Sequence, residues 1–435
     1  MSTRGDILRR AAQVELDAVP EPWRASDDED ALATVSDREH YRKNLVTLPD
    51  GAGEVPAYVW DFPRTPTIPD EVREEWTRGS AGRMLGRDGK YVSRGSDVPR
   101  KSFDGEEPGL LVEAAGRTNH VTDSSDLSAG WATFGTSNSA ASNLIEGESA
   151  QSVSAPTKSD RSNQGAGTFS SGTETVYVIL EEETAGQWAL SVLDASASSD
   201  LCFVQHDFRD DSLFVARGSV DRKNLRVLSE SGPNGGRVYQ LVLSYSGQTS
   251  GNTREVRVYP DRTSSDNSTI FHHVQLEEAP NASSPIVTNG SATTRAGDDY
   301  AIFEGGQPSW WNPNGMTMQY HCVPQFYEQS ETGSHIGWAS DLRIKNKDIK
   351  IFDDSINGPS VNNVVDPYRL VKISVSVTPS KIMLSANGSS DNSIHDGSLL
   401  KDTDIKFGPD HQSLVQKLTF IPRALPESTL NRITS

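Results

Sequence analysis

Between residues 175 and 278 the chain alternates apolar and polar residues with a period of two, in seven successive runs. These are TVYVILEE (175–182), QWALSVLDA (187–195), LCFVQHDF (201–208), SLFVARGSV (212–220), RVYQLVLSYS (237–246), REVRVYPD (254–261) and IFHHVQLEE (270–278). An extended strand points successive side chains to opposite faces, so this alternation buries one face of a sheet. Turn-forming stretches such as SGPNGG and SGQTSGN separate the runs and let each strand fold back on its predecessor. The pattern predicts an antiparallel β-sandwich.

A second series starts at GMTMQYHCVPQF (315–326) and continues through SHIGWAS (334–340), DLRIKNKDIKIF (341–352), YRLVKISVSVTPS (368–380), KIMLSANG (381–388) and SLVQKLTFIPRAL (413–425). It predicts a second sandwich. PESTLNRIT (426–434) follows as a single helical turn, with Ser428 as its N-cap and Leu430 and Ile433 facing inward. Only 34% of the residues are hydrophobic, and Gly, Ser, Thr, Asn and Asp are abundant, as many short strands joined by turns require. Residues 140–170 are rich in Ser, Ala and Gly and read as loops and edge strands.

The first 75 residues are of another kind, charged and punctuated by proline. A helix is predicted over Ile7–Leu16, stopped by Pro20 and Pro22. So little apolar content cannot fold alone, so the segment is expected to be ordered by docking on a partner, a sister subunit or the domains that follow.

A net charge of −19 argues against a nucleic-acid partner, which needs clustered Lys and Arg to displace counterions. No apolar run reaches the length of a membrane span, and the N-terminus lacks the apolar stretch of a signal peptide, so the expectation is a soluble protein without membrane insertion. Cys202 and Cys322 lie in different strand series and read as buried free thiols. His272 and His273 show no metal-binding spacing, and no nucleophile elbow, phosphate-binding loop or dinucleotide fingerprint occurs. Glycosidase chemistry needs two opposed carboxylates, a spatial relation that scattered acidic residues neither show nor exclude. The expectation is a protein that is not an enzyme and carries no cofactor.

Four stretches carry a family resemblance. RGSAGRMLGRDGKYVSRGSDVPRKSFDGEEPGLLVEAAGRTNHVTDSSDLSAGW (78–131) resembles a segment that recurs in tail and other surface proteins of tailed-phage virions, through Asp88-Gly89, Pro99-Arg100, Asp104, Gly109–Glu113, Arg117–Asn119 and Trp131. VQLEEAPNASSPIVTNGSATTRAGD (274–298) is similar to the close of that module, with SPIVT where the family has an aromatic-containing SYIPT. SWWNPNGMTMQYHC (309–322) looks like the first strand of a following concanavalin-like or LamG-like module. LVQKLTFIPRALPESTLNRIT (414–434) resembles its close, with Phe420 and Ile421 replacing the common aromatic pair.

The resemblance implies an all-β chain: an N-terminal anchoring segment (1–100), a jelly-roll carbohydrate-binding-like sandwich (101–298) and a concanavalin-like sandwich (299–435). It further implies a homo-oligomeric structural protein of a virion, a tail fibre, tail tip or head spike component. Such a protein would attach to other virion proteins through residues 1–75 and project its sandwiches towards host surface glycan. Passive decoration of the particle and polysaccharide degradation are the alternatives.

Sugar binding needs exposed aromatic faces with amide and carboxylate partners. Trp131, Trp188, Trp310, Trp311, Trp338, Tyr320 and Tyr327 are the aromatics considered, with packing the expected role of Trp188 and Trp338. Trp310, Trp311, Trp131 and Tyr320 are the glycan-binding candidates. Neighbours on a strand face opposite ways, so one of Trp310 and Trp311 should point outward. A structural Ca2+ requires six to eight oxygens, and the acidic pairs Asp210–Asp211 and Asp298–Asp299 are the loops that could supply some of them.

Overall fold

The architecture comes from a computed structural model. It describes residues 44–47, 54–61, 76–103, 108–302 apart from 171, 247, 248 and 264, 312, 314–325, 336–338, 340–345, 348–353, 356–363, 365, 369–394, 405–406, 412–421 and 423–435. The described chain is all-β, two antiparallel sandwiches with one short helix among the described residues. The helix predicted over Ile7–Leu16 lies outside these residues, as do Trp310, Trp311 and Tyr327.

The chain does not divide at residues 100 and 298 into three consecutive parts. One compact unit combines residues 1–77, 104–114 and 298–435, and the other combines residues 78–103 and 115–297. The second unit is therefore bounded on both sides by segments of the first.

In the C-terminal sandwich, one sheet runs in the order Asn44–Thr47, Glu54–Asp61, Gln412–Ile421, Met316–Pro324, Val371–Thr378, Lys381–Ala386, Ser389–Ile394. Gly109–Glu113 also pairs with Gln412–Ile421, on the half that Glu54–Asp61 leaves open. Leu110 opposes Val415 and Val112 opposes Ser413, whereas Tyr58 opposes Phe420 and Asp61 opposes Lys417. The opposing sheet runs Ile356–Val361, Asp348–Asp353, Ser340–Lys345, Ile336–Trp338, Ile405–Lys406, Asp299–Ile302, Trp76–Thr77. Run 341–352 is thus part of a hairpin of two strands, not one strand. Met318, Tyr320, Cys322, Ile373, Leu384, Leu418 and Phe420 form the core, with Leu110 and Val112 packed among them.

Two expectations change here. GLLVE is a strand of this sandwich, with all five residues buried, and does not open the central one. Residues 44–61 are not wholly an anchor either, because Asn44–Thr47 and Glu54–Asp61 contribute two strands to the same sheet. The closing helix spans Glu427–Thr434, two turns rather than one. Its N-cap is Pro426, whose carbonyl accepts from the Thr429 and Leu430 N–H groups, in place of the expected Ser428. Leu430 is buried as expected, with Ile433 half-buried beside it.

The central sandwich has two six-stranded sheets. One runs Ser137–Ala141, Ala150–Ala155, Asn267–Glu277, Glu174–Glu182, Val238–Tyr245, Arg222–Ser229. The other runs Ser212–Gly218, Ser199–Asp207, Gln187–Asp194, Thr253–Tyr259, Arg161–Thr168, Ala132–Phe134. All seven predicted runs are strands within two or three residues of their expected ends. Arg222–Ser229 is a further strand, whose residues RKNLRVLS show no strict alternation of apolar and polar side chains. Trp188, Leu190, Val192, Val204, Leu241, Val256, Val258, Phe271 and Val274 fill the space between the sheets.

At the base of this unit the two family-like motifs meet. Arg117–Asn119 pairs antiparallel with Thr293–Arg295, so that RTN and TTR form a two-stranded clasp at the points where the chain enters and leaves the sandwich. Asn119 Nδ2 donates to the Ile286 carbonyl, and its Oδ1 accepts from the Val121 and Leu276 N–H groups. In the other unit, Glu113 N–H donates to Asp298 Oδ2 at 2.7 Å and Asp298 N–H to the Glu113 carbonyl at 2.9 Å.

Candidate functional site

Of the two outer faces of the central sandwich, one is covered by its own chain. Leu85, Tyr91, Leu144 and Ile145 pack on Tyr177, Ile179 and Val238 of the sheet containing Glu174–Glu182. A β-bulge at Ile179/Leu180 breaks the alternation of the facing strand, so Phe271 and Val274 reach the core while His272 and His273 both join a polar network beneath the covering segment. His272 Nε2 lies 3.1 Å from Glu181 Oε2, and His273 Nε2 lies 2.9 Å from Gln275 Oε1. Gln275 Nε2 and Ser283 Oγ donate in turn to Glu277. Burial depresses His273 to about 3 and raises Glu277 to about 7. These groups are inaccessible and structural.

The outer face of the other sheet is exposed at its rims, while Ala189, Ser191, Phe203 and Tyr259 at its centre are buried beneath neighbouring side chains, and strand parity sets its composition. Cys202, Val204, Val256 and Val258 point to the core. Phe203, Glu255, Arg257 and Tyr259 therefore point outward. Register then lines these residues up across the strands. One row reads Arg217, Phe203, Ser191, Arg257, Asn163, Ala132. A second reads Phe214, Gln205, Ala189, Tyr259. A third reads Asp200, Leu193, Glu255, Gly165. The centre holds small side chains, Ala189 and Ser191, while the rims carry Phe214 and Phe134, exposed at 64% and 48%. Six strands at the usual spacing put these rims about 24 Å apart.

Arginine and aromatic side chains interleave on this face. Phe203 and Tyr259 meet edge to face at 5.3 Å between centroids. The Arg217 guanidinium sits 4.6 Å from the Phe203 centroid, Arg262 lies 5.4 Å from Phe203 and 5.3 Å from Tyr259, and Arg161 lies 4.7 Å from Phe134. Each such contact contributes about 0.5–1 kcal/mol at an exposed site, enough to hold a guanidinium flat but not to neutralise it. Arg217 pairs with Asp200 at 2.7 Å, and Ser191 Oγ donates to the same carboxylate at 2.6 Å. Arg257 pairs with Glu255 at 2.5 Å. Burial opposes the charge of Arg257, but this carboxylate outweighs it and raises the pKa. Arg262 differs: it donates to the Lys158 carbonyl, and burial, reinforced by repulsion from Arg217, lowers its pKa. Asn163 Oδ1 is buried and lacks a hydrogen-bond partner, as do Nε of Arg161 and Nε of Arg262.

Two of the glycan-binding candidates named from sequence are core residues, which corrects that reading. Trp131 is buried, with its indole N–H donated to the Asp123 carbonyl at 2.8 Å. Tyr320 is fully buried, with its hydroxyl 2.9 Å from Ser413 Oγ. Neither ring can meet a sugar, because each fills the interior of its sandwich. Trp188 is a core residue, as expected from its mid-strand position. The signal that locates the open face was present in the runs LCFVQHDF and REVRVYPD: Phe203 and Tyr259 stand on the parity opposite to the apolar positions that fill the core.

The calcium candidates are dispersed. Asp210 and Asp211 are exposed on the turn before Ser212–Gly218, where Asp210 accepts from the Ser212 N–H and Asp211 from the Tyr239 hydroxyl and Arg237. Asp298 is buried against Glu113, and its neighbour Asp299 is exposed. Among the described residues no group of three or more His, Cys, Asp or Glu is placed to hold a metal ion. Cys202 and Cys322 are buried free thiols, and burial pushes both up to about 12.

No family model and no curated protein matches this chain. Among solved structures it is similar to domains LG4–5 of the mouse laminin alpha1 chain, at 9% identity over 68% of this chain and 92% of that one, with a TM-score of 0.20. A putative carbohydrate binding protein from Bacteroides ovatus matches at 11% identity over 61% of this chain and 83% of that one, with a TM-score of 0.21. Trypanosoma rangeli sialidase matches at 10% identity over 80% of this chain and 69% of that one, with a TM-score of 0.25. Similarities this low leave the function of the open face to be read from its own residues.

Proposed function

We propose that this chain is a structural virion protein of a tailed virus or virus-like particle, a tail fibre, tail tip or head spike component. In this reading its central sandwich attaches the particle to glycan on the host surface. The observation that supports glycan binding is the open sheet face. Aromatic rings at its rims offer flat surfaces to sugar C–H groups, and Gln205, Asn163 and the guanidiniums offer the hydrogen-bonding groups that hydroxyls need. The virion reading is supported by the four family-like stretches, two of which meet as the clasp Arg117–Asn119 with Thr293–Arg295.

The face is a binding surface rather than a catalytic one. Asp200 and Glu255 are each engaged by a guanidinium. This leaves neither poised as a general acid. Symmetric particles repeat their subunits, so the protein is a homo-oligomer in this reading, held to other virion proteins through the part of the chain before the first strands.

Host-cell binding by the purified full-length protein tests the proposal, with Phe214→Ala and Phe134→Ala as exposed-site variants. Binding by the parent protein, weakened in both variants without shortening of the polysaccharide, is the expected result. Equal binding by the variants, or release of oligosaccharide, overturns it.

A further inference from the structure

We infer that the glycan taken by the open face carries an anionic group on its sugar ring, a carboxylate or a sulfate ester, held by Arg217 and Arg262 beside Phe203; this rests on the proposal that the face binds glycan.

The whole chain is strongly acidic, with 60 Asp and Glu against 41 Lys and Arg. On this face the balance reverses. Five guanidiniums, those of Arg161, Arg209, Arg217, Arg257 and Arg262, face three carboxylates, those of Asp200, Asp207 and Glu255. The three carboxylates are taken by Arg217, Arg209 and Arg257. Among the described residues Arg161 and Arg262 have no carboxylate partner, and the buried Nε of each has no hydrogen-bond acceptor.

Geometry sharpens this. Arg217 and Arg262 both lie against the ring of Phe203, at 4.6 and 5.4 Å from its centroid, so two like charges share one aromatic platform. Their repulsion is among the causes that depress the Arg262 pKa. An acidic protein gains nothing for its fold from crowding cations in this way. An anion placed between them would relieve the repulsion and accept fork-shaped hydrogen bonds that a neutral hydroxyl cannot match. Fixing guanidiniums flat on Phe203, Tyr259 and Phe134 also reduces the side-chain entropy lost on binding. The surrounding negative field would repel polyanions elsewhere on the molecule, so selectivity falls to this face.

Matched pairs of immobilised polysaccharides test the inference with the full-length protein: polygalacturonate against its methyl ester, and dextran sulfate against dextran. The expected result is at least tenfold tighter binding to one or both charged members, the preferred pair identifying carboxylate or sulfate. Arg262→Gln and Arg217→Gln should each weaken that binding several-fold and reduce its salt dependence. Equal or tighter binding to the neutral members overturns the inference and leaves glycan binding standing. Binding to charged members that both variants leave unchanged also overturns it, because the anion is then held elsewhere. Binding to none of the four overturns both readings.

Discussion

The side chain whose removal should cost the central sandwich most is Arg254. It is fully buried, and its Nε and Nη2 reach both oxygens of Glu174, at 2.8–3.0 Å, in a pair from which water is excluded. Nη1 donates to the Asn252 carbonyl at 3.1 Å, and Asp194 Oδ2 lies 3.7 Å away. Burial opposes the charge of Arg254, and the two carboxylates outweigh it and raise its pKa. A Met at this position fills most of the space but leaves two carboxylates in the interior without a cation. Breaking a buried pair from one side costs about 3–5 kcal/mol, most of it the stranded charge. With a urea m-value of about 2 kcal/mol/M, the midpoint of this unit should fall by roughly 2 M. The double variant Arg254→Met/Glu174→Met removes the stranded charge along with the cation and should recover more than half of the loss. Urea titration of the full-length protein is the assay. Peptide-resolved hydrogen exchange over Glu174–Glu182 and Thr253–Tyr259 would assign the transition to this sandwich. A double variant as unstable as the single one would refute the reasoning, since shape rather than charge would then carry the loss.

Two further outcomes follow from other sites. Glu277 is fully buried and raised from 4.5 to about 7, so the unfolded chain releases its proton first as pH rises. Its protonated form therefore contributes stability below pH 4.5 that is lost between pH 4.5 and 7, about 3 kcal/mol in total, and Glu277→Gln should flatten that part of the stability–pH curve measured by denaturant titration. A Cβ at Gly109 would lie 2.7 Å from both the Leu414 Cγ and the Val415 carbonyl oxygen, and the latter is backbone that cannot move aside. Gly109→Ala should then cost about 1–3 kcal/mol, read as a lower melting temperature with exchange rising in Gln412–Ile421.

Much of the central sandwich was legible in the sequence because local alternation and global burial agree there. Its seven predicted strands each place a series of apolar residues on one parity, and Trp188 was recognisable as core from its place within such a run. The outer face was legible in the same way, though only once the core parity was known, since Phe203 and Tyr259 are aromatics on the parity opposite to the inter-sheet core, where they pack on each other. Trp131 and Tyr320 misled because aromatic content alone does not distinguish a ring that fills a core from one that meets solvent. The paired His272 and His273 show the limit of alternation, since one bulge turns both to the same face.

Fold class, strand positions and the overall acidity follow from residue order, because side-chain period and charge are local properties. Partnership between distant strands is not local. GLLVE has the pattern of a buried strand wherever it lies, and only tertiary pairing with Gln412–Ile421 assigned it to the C-terminal sandwich rather than the central one. A separate pairing, with the other half of Gln412–Ile421, drew Glu54–Asp61 into that sheet and so moved the boundary of the N-terminal segment. Arg161, Arg217, Arg257 and Arg262, spread over about a hundred residues of sequence, became one cationic surface only because register across neighbouring strands brings them together. Hydrogen-bonded register and burial are set by the whole fold, and they decide which residues share a face.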